Sequence, residues 1–144
     1  MAEYPPKLAE LVDLLSLVGD RNERIRMLID IAERFREVPE RIARRPFPED
    51  HKVPACESEA YVWAEPLADG TLKFHFAVEN PQGISARAMA VILDETLSGQ
   101  PPEEVAKVSG EVIYDVFGRE LSMGKSMGLM GMVAMVARSA KAAR

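Results

Sequence analysis

The stretch AYVWAEPLADGTLKFHFAVE, residues 60–79, decides the fold. Its first six residues are rich in strand formers, and the Asp-Gly pair at 69–70 is a strong signal for a tight two-residue turn. From Thr71 onward, large apolar residues alternate with others, and Lys73 and His75 are predicted to face away from the core. The stretch therefore predicts an antiparallel hairpin. The side chains that we expect in the core are Leu72, Phe74, Phe76 and Val78.

Two amphipathic helices are predicted before the hairpin. From Pro6 to Val18, apolar residues recur at three- and four-residue spacing, and Gly19 ends the pattern. Asp20 is a favourable first residue for a second helix, which ends before Pro39. The buried face predicted for this second helix consists of Ile25, Leu28, Ile29, Ala32 and Phe35.

More helices are predicted after the hairpin. The segment from Ile84 to Leu97 is apolar nearly all round, which is typical of a central, buried helix. Two short helices and a long methionine-rich C-terminal helix from about Lys125 follow, and we interpret the methionines as core residues. The order predicts an α+β fold, with a small antiparallel sheet packed against several helices in one domain over residues 1–144.

Composition narrows the class of protein. The chain has 144 residues, 47% of them hydrophobic and 28% charged, with a net charge of −5. That charge argues against a nucleic-acid partner, because the arginines between residues 21 and 52 are interleaved with acidic residues. No apolar run approaches the ~20 residues of a membrane span. The first ten residues lack the pattern of a signal peptide, so we expect a cytoplasmic protein with no membrane partner.

Cys56 is the only cysteine and the main candidate for chemistry. A single cysteine excludes an intramolecular disulfide and any multi-cysteine metal or cluster site within one chain. It follows a proline-rich segment, residues 39–55, and loops on rigid scaffolds often carry reactive groups. A free cysteine can equally be a small buried hydrophobe. His51 could assist the thiol only if the loop folds back onto it.

The segment HKVPACESEAYVW, residues 51–63, resembles the signature around the active cysteine of the SufE sulfur-acceptor family. That family typically shows a Val, then Gly-Cys-x-Ser, then a Val-Trp pair. Further similarity follows in order along nearly the whole chain. Two positions depart from the family pattern, since Ala55 replaces its glycine and Lys125 replaces an arginine near the start of the last helix.

The resemblance implies a SufE/IscU-like domain with Cys56 as its catalytic residue. Cys56 would take persulfide sulfur from a pyridoxal-phosphate-dependent cysteine desulfurase of the SufS type, stimulate that enzyme, and pass the sulfur to an iron–sulfur scaffold complex. The resemblance implies an accessory sulfurtransferase, a monomer or homodimer, with no cofactor or metal of its own. Supporting candidates are His51, Arg87 and Lys125.

Other functions remain open from the sequence. A catalytically silent adaptor that only binds a desulfurase is one, because Ala55 departs from the family pattern. A thiol-based redox protein is another, although the chain lacks a resolving cysteine. An iron–sulfur scaffold would need several chains or other ligands.

Overall fold

The computed structural model of the protein describes residues 4–143. Residues 1–3, part of the stretch inspected for a signal peptide, and residue 144 lie outside it. The described part contains six α-helices, one short 3₁₀ helix at Glu49–His51, and a two-stranded antiparallel sheet. The elements are α1 (Pro6–Ser16), α2 (Arg21–Ala32), β1 (Ala60–Pro66), β2 (Leu72–Val78), α3 (Ile84–Leu97), α4 (Pro102–Val105), α5 (Val112–Phe117) and α6 (Met123–Ala142). The predicted α+β fold is confirmed.

The hairpin has the predicted core face, but its turn is one residue longer than the two-residue Asp69-Gly70 turn that was predicted. The Leu67 amide donates to the Thr71 carbonyl, so residues 68–70 form the loop. Ala60 lies opposite Val78, and Pro66 lies opposite Leu72. The four expected core side chains of β2 are at most 5% exposed and pack with α3 in the main core. As predicted, α3 is the central helix, and nine of its fourteen residues are buried.

The other face of the hairpin is also covered, contrary to the prediction for His75. Val38 and Phe47 fold over this face and form a second small core with Tyr61, Trp63 and Ala77. His75 is only 8% exposed, and its Nε2 lies 2.8 Å from Glu65 Oε1. The prediction of a solvated His75 was wrong because the segment before the 3₁₀ helix, polar in composition, nevertheless packs on the sheet.

Glu65 joins this outer layer to the hairpin. Its two carboxylate oxygens accept hydrogen bonds from Arg41 at 2.7 and 3.1 Å, and one of them also contacts His75. The bonds from Arg41, and then from His75, lower the pKa of Glu65 to about 2 because they stabilise the charged carboxylate.

Helix α2 begins as predicted and buries less than predicted. The Asp20 side chain accepts a hydrogen bond from the Asn22 amide and caps the helix. Leu28 is buried against α3, but Ile25 and Ile29 are 44% and 39% exposed, so their predicted burial was wrong. The apolar stripe of α2 is wider than the face that α3 covers, and two isoleucines therefore border open space.

The methionines of α6 divide between core and surface. Met132 is fully buried, in agreement with the prediction of a core helix. Met123 and Met127 are 79% and 52% exposed, so the prediction was wrong for the first turns of α6. Across residues 4–143, no helix is both long enough and apolar enough to cross a bilayer.

Candidate functional site

Cys56 lies between two turns in the loop that leads into β1. Pro54 and Ala55 form the first turn, and Ala55 has a φ of +55°, in the left-handed region. A proline followed by a residue with positive φ is the pattern that a type II turn requires, and it explains why glycine would suit position 55. In the second turn the Cys56 carbonyl accepts a hydrogen bond from the Glu59 amide at 3.1 Å. Glu59 also has positive φ, at +52°.

Hydrogen bonds fix both ends of this loop. The Val53 amide donates to the Ala60 carbonyl at 2.8 Å, next to an isolated β-bridge that joins Lys52 to Tyr61 of β1. At the other end, the Asn80 amide donates to the Ser58 carbonyl at 3.1 Å, and Asn80 Nδ2 donates to the Glu57 carbonyl at 3.3 Å. Asn80 thus ties the cysteine loop to the turn that precedes α3.

A glycine-bearing face of α6 supports the loop from behind. A Cβ atom placed on Gly128 would lie 3.1 Å from both Cα and Sγ of Cys56, and one on Gly131 would lie 2.7 Å from Val53 Cγ1. A Cβ on Gly124 would meet only the mobile end of the Glu57 side chain, at 3.0 Å. The close approach of the loop to α6 therefore depends on the missing side chains at positions 128 and 131.

Cys56 is partly buried and borders two cavities. One, of about 370 Å³, is bounded by the first residues of α3 and α6, including Ser85 and Lys125. The other, of about 570 Å³, is more open and is bounded by residues such as Glu49 and Lys52. The N-terminal ends of α3 and α6 both meet at the first cavity, and helix N-termini favour anions. No cluster of three or more potential metal ligands occurs within residues 4–143.

The structure brings only one of the three supporting candidates to Cys56. Lys125 lines the smaller cavity together with the cysteine. Arg87 lines neither cavity and instead donates to the carbonyls of Val78, Pro81 and Asn80 at 3.0 to 3.3 Å. Arg87 therefore fixes the turn before α3, and Asn80 in that turn hydrogen-bonds to the cysteine loop.

His51 makes its contacts with β1. Its Nδ1 is 2.8 Å from the Val62 carbonyl oxygen, and its ring stacks on Trp63 with centroids 5.3 Å apart. It lines neither cavity that Cys56 borders. The histidine joins the 3₁₀ helix to β1.

Asn80 and Gly128 are functional-site residues that sequence reasoning did not single out. The Asn80 segment carries only the signal of a strand break, because its hydrogen bonds reach residues that are distant in sequence. Gly124, Gly128 and Gly131 are spaced for one helix face. That spacing was the available signal for a close backbone approach.

Comparison with known proteins agrees with this architecture. The family model described as "SufE: Fe-S metabolism associated domain" matches residues 9–140. The solution structure of a hypothetical protein from Thermus thermophilus is 22% identical, with a TM-score of 0.73 over 98% of each chain, which shows a shared fold. No curated protein matches the chain significantly. The family description assigns the domain a role in Fe–S metabolism, and the chain belongs to the SufE family.

Proposed function

We propose that Cys56 accepts persulfide sulfur from a pyridoxal-phosphate-dependent cysteine desulfurase and passes it to an Fe–S scaffold complex. The observation that carries this proposal is the placement of the only cysteine. It lies on a loop fixed at both ends, and it borders two cavities. We propose residues 1–144 as one acceptor unit. The cytoplasm, which keeps thiols reduced, is the compartment we propose for it.

The transfer is a thiol–persulfide exchange. The Cys56 thiolate attacks the outer sulfur of the donor's persulfide, a new S–S bond forms on Cys56, and the S–S bond of the donor breaks. The bonding electrons leave with the donor cysteine as its thiolate, so no external oxidant or reductant is required. The product is a persulfide on Cys56, and the same exchange with a scaffold thiol unloads it.

Lys125 supplies positive charge to this exchange. The entering and leaving groups are sulfur anions, and the lysine lines the cavity next to Cys56. The N-terminal ends of α3 and α6 add partial positive charge at the same place. We assign Lys125 to stabilising the anionic persulfide, and Arg87 to positioning the loop through Asn80.

The decisive experiment uses intact mass spectrometry after incubation with a cysteine desulfurase and L-cysteine. The wild-type protein should gain one sulfur atom, removable by a thiol reductant. Cys56→Ser should fold normally, because the change is nearly isosteric, and should gain none. If both proteins stimulate cysteine turnover equally and neither gains sulfur, the protein is a silent adaptor.

Lys125 has its own readout in the same assay. Lys125→Ala should slow sulfur gain by about tenfold, as expected for the loss of a nearby compensating charge. Lys125→Arg should restore most of the rate, because it keeps the charge. Equal rates for the alanine variant and the wild type would remove Lys125 from the site.

A further inference from the structure

A second concave surface lies next to the cysteine cavity. It is an open groove of about 890 Å³ between α2, the start of α3 and the connection from α5 to α6. Ile25, Ile29 and Ile84 line it and are 44%, 39% and 48% exposed, while Leu28 is a buried lining residue. Single exposed apolar residues are ordinary on protein surfaces, but three around one groove form a patch of the kind that marks binding sites.

The groove is positively charged although the whole chain carries −5. Four cations and one carboxylate line it. Arg21 pairs with Glu120 at 2.9 Å, and Arg24 donates to backbone carbonyls. Within residues 4–143, no carboxylate lies at ion-pair distance from Arg119 or Lys125. An occupant with acidic side chains would pair with Arg119, while Lys125 stays next to Cys56.

The groove is continuous with the cavity beside Cys56. Ile84, Ser85 and Lys125 line both of them. A protein segment bound in the groove therefore lies next to the cysteine without covering the 53–58 loop. This position suits a partner that must exchange an atom with Cys56.

We propose that this groove binds an acidic amphipathic helix of the desulfurase that loads Cys56, an inference that rests on the proposed function. Ile25 and Ile29 are four residues apart on α2, so they form a ridge against which the apolar face of a helix packs. The acidic side chains of the same helix then reach Arg119. The groove supplies binding, and the cysteine loop supplies the chemistry.

The test measures the KM of the desulfurase for this protein as sulfur acceptor. Ile29→Glu should raise KM about tenfold, because it places a carboxylate in an apolar contact and repels an acidic partner. Leu67→Glu is the matched control, since Leu67 is 38% exposed on the hairpin, away from the groove. The control should leave KM unchanged. Both variants should keep the wild-type rate of Cys56 alkylation by iodoacetamide and the wild-type unfolding midpoint.

A second pair of variants tests the charge. Arg119→Glu should raise KM severalfold and flatten its dependence on salt, because an attractive charge pair becomes repulsive. Arg138→Glu is the control, since it changes the net charge by the same amount as Arg119→Glu but lies on an exposed part of α6 outside the groove. It should have little effect on KM.

The outcomes separate this inference from the proposed function. If the wild type gains sulfur and neither groove variant changes KM, the groove inference is wrong while the acceptor function stands. If Ile29→Glu changes only the sedimentation of the protein alone, the groove is a self-association surface and the inference is equally wrong. If no desulfurase transfers sulfur to the wild type, both proposals fall.

Discussion

Replacing Ala55 by glycine tests how the cysteine loop is built. Ala55 has a φ of +55°, and a left-handed conformation costs an L-residue with a side chain about 1–2 kcal/mol. Its methyl group is exposed, so its removal loses little packing. Glycine gains freedom in the unfolded chain, which costs about 0.4–1 kcal/mol. The difference predicts that Ala55→Gly raises the free energy of unfolding by about 0.5–1 kcal/mol.

Urea unfolding followed by the fluorescence of Trp63 measures this change. Trp63 is the single tryptophan and is 6% exposed, so its emission reports unfolding of the hairpin. The urea midpoint should increase at constant slope, and the melting temperature should rise by about 1–4 °C. Sulfur gain on Cys56 should be unchanged or faster, because glycine suits the turn without strain.

Gly70→Ala is the reciprocal control. Gly70 has a φ of +88°, and a Cβ there would have no other atom within 4 Å. The substitution therefore adds backbone strain without a clash and should destabilise the protein by about 1 kcal/mol. If Ala55→Gly lowers the free energy of unfolding by about 0.5 kcal/mol or more while Gly70→Ala shows its expected loss, the strain attributed to the positive φ of Ala55 is refuted.

Two more predictions concern α6 and the outer layer. Gly128→Ala should displace the loop, because the new Cβ would lie 3.1 Å from Cys56 Sγ, and it should therefore change the alkylation rate of the thiol. Gly124→Ala is the control, since its Cβ would meet only the flexible end of the Glu57 side chain and should leave that rate unchanged. Equal alkylation rates in the two variants would contradict the role of the glycine face. The pKa of Glu65 is lowered to about 2, chiefly by Arg41, so its ion pair should stabilise the fold above pH ~4.5 and lose that effect as the pH falls towards 2. Urea midpoints measured from pH 6 to pH 2 should therefore decrease less for Glu65→Gln than for the wild type, and parallel curves would exclude the pair as a source of acid sensitivity.

The hairpin and the central helix were predictable because their signals are local. Alternation in Leu72 to Val78 specifies the strand and its core face without reference to the rest of the chain, and the Asp-Gly pair locates the turn. The outer layer was not predictable in the same way. Val38 and Phe47 are isolated apolar residues among charged ones, with no period to show that they pack on the outer face of the hairpin.

The candidate residue for chemistry was also easier to single out from the sequence than its surroundings. Cys56 is unique in the chain, and its motif resembles a known family. The positive φ of Ala55 has no sequence signal, since alanine does not favour it. The pairing of Lys125 with Cys56 in one cavity depends on how α3 and α6 meet, and this long-range arrangement has no signature near either residue.

Few hydrogen bonds hold the tip of the cysteine loop in place. Among residues 4–143, two hydrogen bonds join residues 54–57 to the rest of the chain. Asn80 Nδ2 donates to the Glu57 carbonyl at 3.3 Å, and the Glu59 amide donates to the Cys56 carbonyl at 3.1 Å. The neighbouring bonds at Val53 and Ser58 belong to the sheet and to the turn before α3, and they can stay in place. Moving Cys56 outward therefore breaks at most these two hydrogen bonds and the packing on Gly128. The cost is small compared with opening the sheet, so access to the thiol does not require the core to unfold.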